Sequence, residues 1–222
     1  MHFRIGHRGA KAYAKENTLE SFREALKLGV NALEMDVRST KDGHMVISHD
    51  EDLQRVFRAK GNINDLTLLQ IKALTKGLMP TLEEALRCIE KKGKKIERVF
   101  VELKEVGHEA KVLNIIKKTK MRAAIISFLE EALQNARKLD KRVELGFIYV
   151  RHPDPIKTAL GLKASYLMPL YRFTHAKNIE KAHEKGLKVV VWTINTRKEA
   201  KEYVAKGVDG IASDKPDILK GL

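Results

Sequence analysis

The sequence predicts one (β/α)8 barrel over residues 1–222, with residues 39–79 forming a small hairpin and insertion after the second strand. Three observations lead there. Eight apolar segments of strand length alternate with amphipathic helical patterns. Several of those segments are near-continuous apolar runs, as parallel strands buried on both faces require. The chain has 222 residues, 43% of them hydrophobic, which suffices for one full core. A doubly wound open sheet is the alternative. It would show about six strands and a glycine-rich phosphate loop, and that loop is absent.

The strands are expected at Phe3–His7, Val30–Val37, Val99–Glu102, Ala123–Ser127, Val143–Ile148, Ala164–Met168, Leu187–Trp192 and Gly210–Ala212. Four helices are expected to open on a short side chain that covers a free backbone N–H, answered by a Glu three residues on. The pairs are Asn17 with Glu20, Thr81 with Glu84, Ser127 with Glu130, and Thr196 with Glu199. Core spacing follows each cap, as in Leu19, Phe22 and Leu26. Gly29, Gly93, Gly186 and Gly207 sit where a helix ends in a left-handed residue.

The repeating unit breaks once. Thr40-Lys41-Asp42-Gly43 is a hairpin turn signal, and the chain returns as His44-Met45-Val46-Ile47-Ser48-His49-Asp50. No crossover helix fits between. The polar stretch that follows carries a short helical pattern at Leu68, Leu69, Ile71 and Leu74. Loops after barrel strands line the active face, so this insertion is placed to shape a substrate.

Composition narrows the function. The net charge is +14, which attracts anions, yet 43 basic residues are interleaved with 29 acids along the helices. The densest cluster, Lys91-Lys92-Gly93-Lys94-Lys95, ends a helix, where cations favour the dipole. No aromatics interleave with it to stack bases, so nucleic acid is not an expected partner. No run of about 18 apolar residues exists to cross a membrane, leaving only surface contact with anionic lipid open. The segment Met1–His7 has no signal-peptide core, and a lone Cys88 forms no intramolecular disulfide, so a cytoplasmic protein is expected. The oligomeric state is not legible.

The chemistry centres on Val30–Arg38. Glu34 and Asp36 lie two apart on an apolar strand and so share one face. Two buried like charges repel unless a cation sits between them. An oxygen pair without cysteine suits a hard divalent ion, magnesium, calcium or manganese. A solvent-facing pair of ordinary acids is the plain alternative. His7-Arg8-Gly9 ends the first strand, where Arg8 offers a planar fork to a phosphate. His49-Asp50 ends the hairpin strand and brings a second imidazole. Two histidines with two acids would also suit zinc. Glu102-Leu103-Lys104 adds a third carboxylate and a cation, or else a buried ion pair. Together these groups suit phosphodiester chemistry: acids hold a metal, Arg8 and Lys104 hold the phosphate, and imidazoles move protons near neutral pH.

The ordered set resembles the glycerophosphodiester phosphodiesterase family. It comprises His7-Arg8-Gly9, Glu16-Asn17-Thr18, Glu34-Met35-Asp36-Val37, Thr40-Lys41-Asp42-Gly43, His49-Asp50, Pro80-Thr81-Leu82-Glu83-Glu84, Glu102-Leu103-Lys104, Ser127-Phe128, Trp192-Thr193, Asp209-Gly210 and Asp214-Lys215-Pro216. The resemblance implies a TIM barrel that hydrolyses glycerophosphodiesters to an alcohol and sn-glycerol 3-phosphate. It assigns the metal to Glu34, Asp36 and Glu102, acid–base work to His7 and His49, and phosphate contacts to Arg8 and Lys104. It implies that the glycerol 2-hydroxyl attacks first and that water then opens a cyclic phosphate. Trp192 resembles a substrate-packing aromatic, with a plain core role as the alternative, and Glu16 is expected to steady the first loop. A lysophospholipase D, with an acyl chain on Leu78, Met79, Leu170 and Phe173, stays open as a second activity. A non-catalytic barrel that binds phosphate or anionic lipid is the rival from another class, and a nuclease is a weaker third.

Overall fold

A computed structural model describes residues 2–92 and 96–222. Its strands, in chain order, are β1 (Phe3–Gly6), β2 (Ala32–Ser39), β3 (Met45–Ile47), β4 (Arg98–Leu103), β5 (Ala123–Ser127), β6 (Glu144–Tyr149), β7 (Tyr166–Pro169), β8 (Lys188–Val191) and β9 (Gly210–Ser213). All but β3 run parallel and close into a ring, because β1 pairs with both β9 and β2. The TIM barrel is therefore present.

The α-helices are α1 (Leu19–Lys27), α2 (Gln54–Phe57), α3 (Leu68–Leu74), α4 (Leu82–Lys92), α5 (Glu109–Lys117), α6 (Glu130–Leu139), α7 (Pro155–Gly161), α8 (Ala176–Glu184) and α9 (Arg197–Ala205). Outward strand residues such as Leu33, Val101 and Leu145 pack under the apolar stripes of these helices. Inward residues, among them Ile5, Phe100, Ile126, Ile148 and Met168, fill the ring. The interior tolerates little extra volume. A Cβ on Gly146 would stand 2.9 Å from both Ile126 Cγ2 and Met168 Sδ. No helix among the described residues is long and apolar enough to cross a membrane.

The hairpin forms as its turn chemistry requires. β1 pairs with β2 only at Ala32 and Leu33. β3 runs antiparallel to the far end of β2, from Val37↔Ile47 to Ser39↔Met45. Beyond it, α2 and α3 gather around an apolar cluster of Val46, Leu53, Ile63, Ile71 and Met79. Met79 is fully buried there and offers nothing to an acyl chain, contrary to the sequence reading.

Two helix caps differ from expectation, and one of the differences frees a polar group for the site. Thr18, not Asn17, caps α1 by accepting from Ser21 N–H. Asn17 adopts a left-handed φ of 56° and sends its amide to Asp36 instead. Ser127 does not cap α6. Its hydroxyl donates to the Leu103 carbonyl and accepts from Leu129 N–H, tying the β5 loop to β4. Thr81 with Glu84 forms the expected reciprocal box. Thr196 accepts from Glu199 N–H, and the Glu199 carboxylate answers to the Thr196 hydroxyl rather than the backbone. Gly29, Gly186 and Gly207 are left-handed as expected. Gly93, with Lys94 and Lys95, lies outside the described residues.

Candidate active site

β2 and β4 place the acids. Alternation turns Glu34 and Asp36 inward, and the register sets Asp36 beside Glu102. One oxygen from each of the three carboxylates lies within 4.8 Å of the others. All three residues are buried, Asp36 to 1% exposure. Charges in such a place are unfavourable unless neutralised. Lys104 Nζ lies 2.7 Å from Glu102 Oε1 and 3.6 Å from Asp36 Oδ1. Arg8 Nε lies 3.3 Å from Asp36 Oδ2, and Arg8 N–H donates to Glu34 Oε2 at 2.9 Å. The Glu102–Lys104 ion pair of the plain reading therefore exists, within a larger cluster.

These cations do not suffice. Glu34 Oε1 and Asp36 Oδ1 are buried and accept no hydrogen bond. Burial, then the neighbouring Asp36 and Glu102 charges, hold the Glu34 carboxyl well above its usual range. Burial and Asp36 push Glu102 up to about 7 despite Lys104. At Asp36 burial acts upward too, but Arg8 and Lys104 outweigh it and keep the group below its ordinary value. Two orphaned carboxylate oxygens facing a third acid are an oxygen-donor set, which fits a hard divalent cation. The cluster contains no imidazole, which argues against the zinc alternative.

Both histidines are oriented by carboxylates. His7 follows β1 at the rim, and its Nδ1 lies 2.6 Å from Asp214 Oδ1. His49 follows β3, and its Nδ1 lies 2.7 Å from Asp50 Oδ1. Asp50 and Asp214 are each held at about 2: burial opposes this, but hydrogen bonds from Arg55 and His49, and from His7 and Asn195, prevail. An ionised carboxylate only accepts, so each Nδ1 carries a hydrogen and each Nε2 is free to act. His7 Nε2 lies 3.9 Å from Glu34 Oε2, beside the acids. Burial depresses the His49 imidazole below its ordinary value, against the pull of Asp36 and Asp50.

A cavity of about 150 Å³ joins these groups. Its lining is part polar, His7, Arg8, Glu34, His49, Glu102 and Lys104, and part apolar, Ile126, Phe128, Ile148, Met168, Trp192 and Ala212. Trp192 packs edge-to-face on Phe128 at 5.6 Å, and its Nε1 donates to the Met168 carbonyl at 2.9 Å. It is thus a wall of the cavity as well as a neighbour of the barrel core. Seven of the eight site residues read from the sequence line this space, and Asp36 lies directly against them.

The sequence marks Asn17 only as a helix cap and gives no role to the other supports, Asp50, Arg55 and Asp214. Asp50 follows His49 and could have been paired with it. Asp214 is 207 residues from His7, but in a closed barrel the last strand adjoins the first, and that signal was available. Arg55 gave no sign. Glu16 steadies the first loop as expected, accepting from Arg8 Nη1 at 2.8 Å.

The sequence model of the glycerophosphoryl diester phosphodiesterase family matches residues 7–218. The chain belongs to that family. A glycerophosphodiester phosphodiesterase of Caldanaerobacter subterraneus is 32% identical over 236 residues, covering 98% of this chain and 96% of the relative. Among solved structures, a glycerophosphodiester phosphodiesterase of Thermotoga maritima superposes with a TM-score of 0.84 at 30% identity, covering 99% of this chain and 97% of its own. A phosphodiesterase of Oleispira antarctica, solved with its product sn-glycerol-3-phosphate, gives a TM-score of 0.87 at 27% identity, with 96% and 93% covered.

Proposed function

We propose that the chain hydrolyses glycerophosphodiesters to an alcohol and sn-glycerol 3-phosphate, using His7 and His49 as the proton carriers. One observation carries this reading above the others: two imidazoles, each oriented through Nδ1 by an ionised carboxylate, flank one cavity with a buried triad of acids. A phosphate binder needs no such pair, which sets the non-catalytic alternative aside. Glu34, Asp36 and Glu102 would hold a magnesium, calcium or manganese ion, which supplies charge neutralisation to a phosphoryl oxygen. Arg8 and Lys104 add positive charge to the same cavity, both beside Asp36. One neutral imidazole takes the proton of the glycerol 2-hydroxyl as that oxygen bonds to phosphorus. The other, protonated, gives its proton to the alcohol oxygen as the ester bond breaks. The roles then reverse while water opens the cyclic phosphate, so the enzyme ends as it began. Trp192 and Phe128 pack against the carbon face of the glycerol.

Turnover of glycerophosphocholine with added magnesium or calcium tests this. EDTA abolishes it, and His7→Ala or His49→Ala each lowers kcat by about 10²–10⁴-fold with the fold intact by circular dichroism. A kcat within about 10-fold of the wild type in either variant removes that histidine from the mechanism.

A second reading concerns the leaving alcohol. Phe128, Leu129, Val150 and Phe173 are all more than a third exposed, on the loops that follow β5, β6 and β7. Phe128 lines the cavity itself, and together these exposed apolar side chains could receive an acyl chain or a lipid surface. Faster hydrolysis of lysophospholipids than of water-soluble diesters in one panel would assign a lysophospholipase D activity.

A further inference from the structure

Arg55 has no part in the chemistry above, yet its guanidinium binds two of its supports. It lies on α2, in the segment after the hairpin, with 48% of its side chain exposed. Nε donates to Asp50 Oδ2 at 2.5 Å. Nη1 and Nη2 donate to Glu16 Oε2 and Oε1 at 2.8 and 2.7 Å, a bidentate fork. Each carboxylate serves a second group. Asp50 orients the His49 ring, and Glu16 accepts from Arg8 Nη1.

The two loops concerned come from strands that do not pair. β1 and β3 both lie against β2, at opposite ends of it. The separation of Arg8 and His49 across the cavity therefore depends on side-chain ties between the loops. Exposed ion pairs are usually worth little, but a forked arginine in a network of carboxylates is the recognised exception.

We propose that Arg55 is a positioning residue for the reaction: it clasps the loop after β1 to the end of the hairpin and sets Arg8 and the His49 imidazole relative to each other. The kinetic arm rests on the function proposed above. Lysine cannot replace the clasp, since one ammonium cannot supply the planar fork and the third donor together.

The test compares Arg55→Ala, Arg55→Lys, Asp50→Asn and Glu16→Gln, with the doubles Arg55→Ala/Asp50→Asn and Arg55→Ala/Glu16→Gln. Arg55→Ala is expected to lower kcat by about 10- to 100-fold, as loss of partners that orient a functional imidazole does. KM changes less, and Arg55→Lys recovers only part of the rate. Guanidinium ion at sub-denaturing concentration restores part of the Arg55→Ala rate. Each double falls short of the sum of its singles, as residues in one network do. Nitrogen-15 NMR of the imidazoles gives a readout independent of turnover. The wild type shows His49 as the Nδ1–H tautomer, Arg55→Ala gives a mixture, and His7 is unchanged in both. Unchanged kcat and an unchanged His49 tautomer in Arg55→Ala would overturn the proposal, as would strictly additive doubles. If Arg55→Ala fails to fold, the Arg55→Lys rate and tautomer decide in the same way. A wild type that turns over no glycerophosphodiester defeats the function proposed above, while the NMR arm still judges the clasp.

Discussion

The two ends of the barrel treat their carboxylates in opposite ways. At the end where the strands begin, Phe3, Phe100 and Tyr166 pack edge-to-face with centroids 5.3–6.2 Å apart and close the interior. The carboxylate there, Glu144, is satisfied at both oxygens, by Arg98 Nη1 at 3.0 Å and the Tyr166 hydroxyl at 2.6 Å. At the end where the strands finish, Glu34 Oε1 and Asp36 Oδ1 accept no hydrogen bond, and Asp36 Oδ1 has only Lys104 Nζ at 3.6 Å. The same strands carry both arrangements. Folding alone therefore does not force the unsatisfied acids, and their presence at the loop-bearing end marks the end that binds.

Substitution at one carboxylate of each end tests that contrast most strongly. Glu102→Gln should abolish detectable turnover by removing a ligand oxygen charge, while Glu144→Gln leaves kcat within the scatter of the wild type. Stability should move the other way. Glu144→Gln weakens a paired site and lowers stability by about 1–3 kcal/mol. Glu102→Gln removes a charge that the metal-free site disfavours, so at pH 8 it raises the melting temperature of the EDTA-treated protein. Urea titration of both variants reads the signs. A destabilised metal-free Glu102→Gln would mean that the two ends are built alike.

A smaller effect appears in the pH dependence of metal stabilisation. The Glu102 carboxyl is raised from 4.5 to about 7 in the folded chain without metal. Its contribution to stability is then present below about pH 4.5 and is lost as pH rises through about 7. A divalent ion replaces the proton, so the melting-temperature gain from magnesium or calcium should be larger at pH 8 than at pH 5.5. Binding should also release protons near pH 6, measurable by calorimetry in buffers of different ionisation enthalpy. A gain that shrinks as pH rises would place the ion elsewhere.

Much of this was legible in residues 30–38 and in the strand-end pairs. Alternation alone put Glu34 and Asp36 on one face, and a barrel brings any strand-end acid, such as Glu102, toward the same axis. What escaped was the layer of supports. Asn17 looked like a helix cap because Asn caps helices as readily as Thr does. Its left-handed backbone and its bond to Asp36 depend on the close approach of two loops, which a linear pattern does not encode. Ser127 misled for the same reason, its hydroxyl being taken by the Leu103 carbonyl of the neighbouring strand. Arg55 sits in an exposed, mixed stretch, and its value depends on where Glu16 and Asp50 arrive.

Within the site itself the acids divide again, and the division predicts the smallest effect. Glu34 and Glu102 of the buried triad are pushed up, whereas Asp214 and Asp50, behind the imidazoles, are drawn down to about 2. A depressed carboxylate stabilises the fold above its unfolded value of about 4, and the contribution is lost as pH falls toward 2. Asp214 is the better test, because its side chain is 20% exposed against 22% for Asp50 and its partner His7 is itself sheltered. Asp214→Asn should lower stability at pH 7 by about 1–2 kcal/mol, with the difference cut by more than half near pH 2.5. The variant should also slow turnover, since an amide accepts a proton from Nδ1 less firmly and the His7 tautomer is no longer fixed. Equal destabilisation at pH 7 and pH 2.5 would show that Asp214 acts by shape rather than by charge, and the distinction between acids that hold a metal and acids that orient an imidazole would lose its electrostatic basis.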